Sequence, residues 1–426
     1  MRRLRVLWVD GLNVMRGKYL PLPGEPQDGE TRFAQAVFGT HYDKDLLRAP
    51  GAGVEAGIPD IVARWRGADV REGWERNTAT VLAELHDNDG APFALSGRAA
   101  LSRAVADWQA HGLTPMIGIE LEAYALVANE DGRLVPYDVP GHAVYGTGAF
   151  ADPLRFTEAV WERAHAFGFD IEAQTSEYDA PQYEWTLRFG EAVPHMDEIV
   201  LFRLMAREVA LEHGIVLTFG PKPIAEAGGS GMHVNLSFRD GSGANALASS
   251  TADAPNDLAR GCLAGWMHHH RGLAGLVAPS VASYQRLQPA SLSGYWRNWA
   301  GDHRGVTARI SAQGGAKARL EHRMADGAAN PYTAVAAVLQ AARLGFEAGH
   351  ALPPREGGDA LDRVEAKEGT GLDLRRALDD LEKDTALCDA VGRPLVDNHL
   401  FMRRREWRKA RDLEGDMLRD FTLFSY

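Results

Sequence analysis

Cysteine is nearly absent: Cys262 and Cys388 are the only two in 426 residues. Two thiols so far apart give neither a disulfide framework nor a cysteine-based zinc site. Long hydrophobic runs are missing as well, and no segment approaches the roughly 18 apolar residues that a membrane-crossing helix needs. Positive charge is in deficit, with 46 Lys and Arg against 58 Asp and Glu and a formal net charge of -12. Such a chain is not built to make nucleic acid or an anionic membrane its main partner. Any anionic ligand must therefore be held by locally clustered Arg, Lys or metal. The start, Met1-Arg2-Arg3-Leu4-Arg5, is basic, but the apolar run behind it breaks at Asp10, too early for a signal peptide. Cytoplasm is the natural reading.

What is present is the composition of an ordinary soluble globular protein, 45% hydrophobic and 24% charged. The length exceeds what one hydrophobic core supports, so two domains are expected. Residues 4–9 read as a strand ended by Asp10-Gly11, and residues 21–57 as loop with one short helix. A strand at 80–85 runs into Asp87-Asn88-Asp89-Gly90, which is hairpin chemistry. A helix follows at 99–111, closed by Gly112, and the domain boundary is placed near residue 97.

In Gly118-Ile119-Glu120-Leu121-Glu122-Ala123-Tyr124, the two-residue period of a strand puts both carboxylates on one face. Glutamates held side by side repel unless a cation sits beside them, so this spacing suits metal ligation; a solvated strand face shows the same alternation. Glu172, Glu177 and Glu184 recur further on. Residues 197–212 form an amphipathic helix whose Asp197 and Glu198 suit its positive end as structural groups. A glycine turn, Gly228-Gly229-Ser230-Gly231, leads into the strand Met232-His233-Val234-Asn235-Leu236-Ser237. Residues 240–257 look like a mobile surface loop. The run His268-His269-His270 is not expected to hold a metal, because adjacent residues on a helix point apart.

Arg286, Arg304, Arg309, Arg319 and Arg323 crowd one region of an acidic chain, which points to a local anion site. Within it, Arg319, Glu321 and Arg323 share one strand face while Leu320 and His322 take the other. Asn330 is a good N-cap with Pro331 at the first helical position, so an apolar core helix begins there. Leu374, Leu378 and Leu381 mark another helix before the end, Phe421-Thr422-Leu423-Phe424-Ser425-Tyr426.

The run Arg319-Leu320-Glu321-His322-Arg323, then Asn330-Pro331-Tyr332 and a long apolar helix, resembles the end of the active site in the glutamine synthetase family. It is most similar to the branch of γ-glutamyl-amine (γ-glutamylpolyamine) ligases. The likeness extends over nearly the whole chain, with the motifs in the family's order. Val14-Met15-Arg16-Gly17-Lys18 resembles the loop after the family's first strand. An α+β fold is implied: a small N-terminal β-grasp domain, residues 1–97, and a larger catalytic domain, residues 98–426, with a curved antiparallel sheet and helices.

The resemblance also implies roles. Glu120, Glu122, Glu177, Glu184, His233 and Glu321 match the metal ligands, an oxygen-rich set that favours Mg²⁺ or Mn²⁺ over zinc. Glu172, Phe189, Ser237, Arg309, Lys317 and Arg319 fall on the nucleotide side. Arg286 and Arg323, with Gly229, fall at glutamate, and Arg304 at the transferring phosphoryl group. The implied reaction transfers the γ-phosphoryl group of ATP to glutamate before an amine displaces phosphate, in a dodecamer of two stacked hexameric rings. The chain departs from the family at Asp179-Ala180-Pro181, where a glycine-bearing loop is usual, and at Asn235, where many members carry a second histidine. Residues 349–370 contain no tyrosine, so the adenylylation known in some bacterial members is not expected.

The departure at Leu292 bears on the acceptor. Glutamine synthetases proper carry a glutamate there that helps deprotonate ammonium, and an apolar side chain cannot. Leu292 suits the carbon chain of a larger primary amine, with Tyr295, Trp296 and Trp299 nearby as pocket or as core. Three readings stand: a glutamate–amine ligase, a glutamine synthetase with another base, and a non-catalytic sensor of glutamate or nucleotide.

Overall fold

The computed structural model describes residues 2–251, 253–359 and 363–423. Two hydrophobic clusters organise it. The smaller gathers side chains from the first 95 residues, including Val6, Trp8, Phe38, Ile61 and Phe93, with Met402 from the C-terminal part closing it.

In this N-terminal part Arg3–Val9 pairs antiparallel with Met15–Pro21 and parallel with Thr78–Leu82, which also pairs with Arg71–Glu72. Arg16-Gly17-Lys18 is therefore not a loop but lies within a strand. The reversal comes earlier, where Asp10 Oδ1 accepts from the backbone N–H groups of Leu12 and Val14, both at 2.9 Å, and Arg16 Nε donates to Asp10 Oδ2 at 2.8 Å. Residues 21–57 are more than loop, since Gly29–Ala34 pairs with Asp60–Trp65 and Gln35–Gly39 forms a 3₁₀ turn. The expected strand at 80–85 divides, because after Thr78–Leu82 the chain crosses to a second sheet as Glu84–His86. Asp87 N–H donates to Ala91 O at 2.8 Å, as hairpin chemistry requires. The return strand shrinks to one bridge at Pro92, which has no N–H to continue a ladder.

The second part carries a ten-stranded sheet. Its main strands are β1 (Thr114–Ala128), β2 (Ile171–Ser176), β3 (Gln182–Leu187), β4 (Met232–Arg239), β5 (Trp299–Gly301), β6 (Ala308–Ile310) and β7 (Leu320–His322). They lie in the order β2-β3-β1-β4-β7-β6-β5, antiparallel except for β5 against β6. Alternation divides the two faces. Ile117, Ile119 and Leu121 of β1 and Val234 and Leu236 of β4 enter the core, so Glu120, Glu122, His233 and Asn235 stand on the other side.

Helices cover the apolar face: α1 (Gly97–Gln109), α2 (Ala192–Glu212), α3 (Asp257–His268), α4 (His270–Val277), α5 (Ser283–Arg286) and α6 (Pro331–Ala348), followed by α7 (Leu374–Lys383), α8 (Thr385–Val391) and α9 (Arg393–Ala410). Asn330 caps α6 as expected, its Oδ1 accepting from Thr333 N–H at 3.1 Å. Trp108 and Trp266 donate to the carbonyls of Leu339 and Val338 on α6 at 3.0 and 2.9 Å. Gly265 lets α3 touch α6, since a Cβ there would fall 2.0 Å from Ala341 O. The strand bearing Glu321 thus leads, after a short turn, into a helix that is buried from Pro331 to Ala342. No helix among the described residues is long and apolar enough to cross a membrane.

α2 starts at Ala192, one turn before the expected Asp197, because its N-terminus carries no side-chain cap to mark it. Asp197 then serves as a tertiary anchor, accepting from Arg98 Nε at 2.9 Å and from the Tyr332 hydroxyl at 2.6 Å. Within the segment 240–257, expected to be a mobile loop, residue 252 lies outside the described residues; the part before it is tied down, with Leu247 buried and Asn245 Nδ2 donating to Ala318 O at 2.8 Å. α7 bears out the leucine spacing. Phe424, Ser425 and Tyr426 lie outside the described residues.

Candidate active site

Strand register assembles the polar face. Glu122 on β1 stands opposite Glu184 on β3, Glu120 opposite His233 on β4, Asn235 opposite Glu321 on β7, and Glu321 opposite Arg309 on β6. Five strands thus deliver one row of charged and polar groups. His233 Nδ1 lies 3.0 Å from Glu120 Oε2 and 3.7 Å from Glu321 Oε1, while its Nε2 lies 3.7 Å from Glu122 Oε1. Glu120, His233 and Glu321 each bring one ligand atom within 4.8 Å of the others.

Glu184 is pushed up to about 9, first by burial and then by the negative charge of Glu120, Glu122, Glu177 and Glu321. Glu177, in the turn after β2, is raised by burial and by Glu122. Glu120 goes the other way: burial opposes its charge, but His233, an Asn235 N–H at 3.1 Å and the Arg323 charge outweigh it. Five carboxylates around one imidazole, with one held neutral by its neighbours, form a group whose repulsion a divalent cation would relieve. The residues fit such an ion, and their oxygen-rich donor set suits a hard one.

Cations ring this group. Glu321, only 2% exposed, accepts from Arg309 Nε and Arg323 Nη1, both at 2.5 Å. Arg319 Nε donates to Asn235 Oδ1 at 3.0 Å, so Asn235 joins Glu120 to an arginine. Arg286, at the end of α5, is buried and donates to the carbonyls of Met324 and Arg323 at 2.8 and 3.0 Å. The glycine turn wraps this side chain: a Cβ on Gly229 would fall 2.4 Å from Arg286 Cγ, and one on Gly231 2.9 Å from its Nη2. Arg304 is exposed on the turn after β5, close enough for its charge to reach Glu177.

The remaining candidates spread outward. Ser237 is half-buried on β4, Lys317 is exposed in the turn before β7, and Phe189 is 56% exposed beside Gly118. Glu172 is exposed at a register shift on the edge strand β2, without a hydrogen bond among the described residues. Leu292 is 43% exposed. Of the aromatics near it, Tyr295 and Trp299 are buried and Trp299 Nε1 is spent on Pro353 O, so only Trp296 is left half-exposed.

Two contacts were not legible beforehand. Gln182 Nε2 donates to Glu122 Oε2, Gly229 O and Ser230 Oγ at 3.1–3.2 Å, bridging the Glu122 carboxylate to the glycine turn. Asp179, in the departing loop, accepts from Gly228 N–H, so this loop also docks on that turn.

Residues 94–418 match the model of the glutamine synthetase catalytic domain. The chain belongs to the glutamine synthetase family. Glutamine synthetase of Clostridium saccharobutylicum is 31% identical over 342 residues, 77% of this chain and 76% of that one. That of Thermus thermophilus is 29% identical over 431 residues, covering 95% and 92%. A solved structure described as a novel glutamine synthase homolog aligns with a TM-score of 0.84 and 26% identity over 100% and 98% of the two chains. A GmaS/ADP complex aligns at 0.83 with 25% identity over 99% and 97%. The family's members are ATP-dependent ligases that use divalent metal ions, and this fold and chemistry extend to the present chain.

Proposed function

We propose that this member joins the γ-carboxylate of L-glutamate to an organic primary amine, through a γ-glutamyl phosphate, with release of ADP and phosphate. The residue that carries the amine is Leu292: it is 43% exposed, and by the family resemblance it takes the position at which glutamine synthetases proper hold a glutamate for ammonium. A leucine gives no charge to attract ammonium and no base to deprotonate it, but it covers an alkyl chain. The likeness to the GmaS/ADP complex supports an adenine nucleotide on the side formed by Glu172, Phe189, Ser237, Arg309, Lys317 and Arg319.

Glu120, Glu122, Glu177, Glu184, His233 and Glu321 are the residues that would hold Mg²⁺ or Mn²⁺. Bound divalent ions would neutralise the charge of the phosphoryl donor and the carboxylate as they approach. Arg304, free of hydrogen bonds among the described residues and with its charge reaching Glu177, is assigned to the transferring phosphoryl group. Arg286 and Arg323, beside the turn at Gly229, hold glutamate; their backbone and carboxylate bonds fix them before it arrives. Residues 1–97, with their two small sheets, are assigned as a domain of their own, and a dodecamer of two hexameric rings as the assembly. ATP and glutamate as substrates set the work in the cytoplasm.

The curated relatives named glutamine synthetase favour a second reading, with ammonia as acceptor. Phosphate release dependent on ATP and glutamate, measured with Mg²⁺ across ammonium, methylamine, ethanolamine, isopropylamine, putrescine, spermidine and aniline, separates the two. Strong turnover with one organic amine and little with ammonium establishes the first reading, and the reverse establishes the second.

A further inference from the structure

The histidine run belongs to the helices and not to the polar sheet face that carries the candidate active site, and its three residues do not share a helix. α3 ends at His268, His269 forms the junction, and α4 begins at His270. The break turns His270 toward Tyr295 O, 3.0 Å from its Nε2, and leaves its two predecessors facing elsewhere. What they meet is His350, which follows the left-handed cap Gly349 at the end of α6. Ring centroids of His268 and His350 are 3.9 Å apart, and those of His268 and His269 are 4.8 Å apart. His268, His269 and His350 each bring one ring nitrogen within 4.8 Å of the others.

His269 is the informative member. Its Nδ1 sits 2.8 Å from Asp384 Oδ2, and the other oxygen of that carboxylate accepts from Leu387 N–H at 3.2 Å to cap α8. A carboxylate fixed at Nδ1 places the proton there and leaves a lone pair on Nε2. That Nε2 is buried without a hydrogen-bond partner, in a residue only 3% exposed. An unpaired buried acceptor is costly, so the arrangement calls for a ligand at this nitrogen. A carboxylate behind an imidazole with a free lone pair, and two more imidazoles in front, is the donor pattern of a transition-metal site.

We propose that His268, His269 and His350 bind a divalent first-row transition ion, zinc or its neighbours, with Asp384 orienting His269 from behind. Three imidazoles prefer Zn²⁺, Co²⁺ or Ni²⁺ to the hard Mg²⁺ or Mn²⁺ suited to the oxygen-rich active site. Nitrogens bound to one zinc at roughly 2.0–2.1 Å stand about 3.4 Å apart, so the three must draw together on binding. The rings of His268 and His350 are parallel to within 8°. A metal lies in the plane of each imidazole it binds, so one ring must turn, and His268, exposed at a helix end, is the one free to do so.

The ion would staple three elements: the junction of α3 and α4, the end of α6, and, through Asp384, the start of α8. The chain leaving His350 next packs on the segment beside Leu292, where Pro353 O accepts from Trp299 Nε1 at 2.8 Å and Glu356 from Asn298 Nδ2 at 2.9 Å. The site thus fixes the root of a segment that lines the acceptor side, whichever amine is used.

Cobalt titration of the full-length protein, stripped of metal, freed of any histidine tag and held in excess Mg²⁺, tests the proposal by visible absorption and metal analysis. The wild type is expected to take up about one cobalt per chain more than His350→Ala or His268→Asn, with zinc displacing it. Asp384→Asn should weaken that uptake about 10- to 100-fold. His268→Asn changes an exposed position, so it remains informative where His350→Ala folds poorly. Equal cobalt uptake by the wild type and His268→Asn overturns the proposal.

Discussion

Glu184 stands directly opposite Glu122 across the β3–β1 pair, two like-charged side chains where a sheet ordinarily places complementary ones. Without a cation the pair is a source of instability: burial first, and then the charge of Glu122 and its neighbours, drive Glu184 toward its neutral form. Mg²⁺ or Mn²⁺ is therefore expected to raise the melting temperature of the metal-free protein. Glu184→Gln should melt higher than the wild type without metal and gain less from its addition, a difference of about 1–3 kcal/mol in calorimetry. A variant as dependent on metal as the wild type would remove Glu184 from the ion's surroundings.

Glu321 joins stability and chemistry in one group, since it accepts from both Arg309 and Arg323 while lying 3.7 Å from His233. Taking the carboxylate away leaves two largely desolvated arginines without their counter-charge, a change that costs about 3–5 kcal/mol in buried pairs. Glu321→Ala should lose that much in denaturant unfolding and at least about 100-fold in phosphate release. Glu321→Gln, which keeps an acceptor for one arginine, should recover part of the stability but not the turnover. A sensor would behave otherwise, with nucleotide binding in Glu321→Gln close to that of the wild type.

How legible these features were follows from how local their causes are. The face shared by Glu120 and Glu122 and the cap at Asn330 are set by neighbours in sequence, so period and residue type disclose them. The start of α2 carries no side-chain cap and could not be read, and the short strands of the N-terminal part owe their existence to partners tens of residues away. Gln182 and Asn235 hold active-site carboxylates through contacts between strands, which no single stretch reveals. The histidine run reads as a single helical stretch, whereas a junction falls within it and turns His270 away, and His350, which stacks on His268, comes from far along the chain.

Behind Arg286, the wholly buried Asp326 is pushed up to about 6 by burial, against the pull of Arg286. A carboxyl raised on folding stabilises the native state only while it holds its proton. Its contribution is complete below the ordinary value of 3.8 and is lost as the pH rises through about 6. Between those limits the wild type should lose up to about 3 kcal/mol relative to Asp326→Asn. Melting temperature against pH for the two proteins, both in Mg²⁺, gives the comparison; parallel curves from pH 4 to 6 would contradict it.

The acceptor argument turns on one side chain and is tested on it. Leu292 is exposed, so replacing it alters the character of the segment without opening a cavity, and the fold should tolerate the change within about 0.5 kcal/mol. Leu292→Glu puts a carboxylate where an ammonium ion must be drawn in and deprotonated. If the wild type selects a larger amine by apolar contact, the variant should gain about 10-fold or more in kcat/KM for ammonium and lose a similar factor for the preferred amine. The change should lie in the acceptor terms alone, with KM for ATP and glutamate within about twofold of the wild type. An ammonium rate that stays flat while the organic amine is still used would mean that the selection lies elsewhere on the segment, with Trp296 next to be replaced; a loss of both would place Leu292 in the closure of the site rather than in the choice of acceptor.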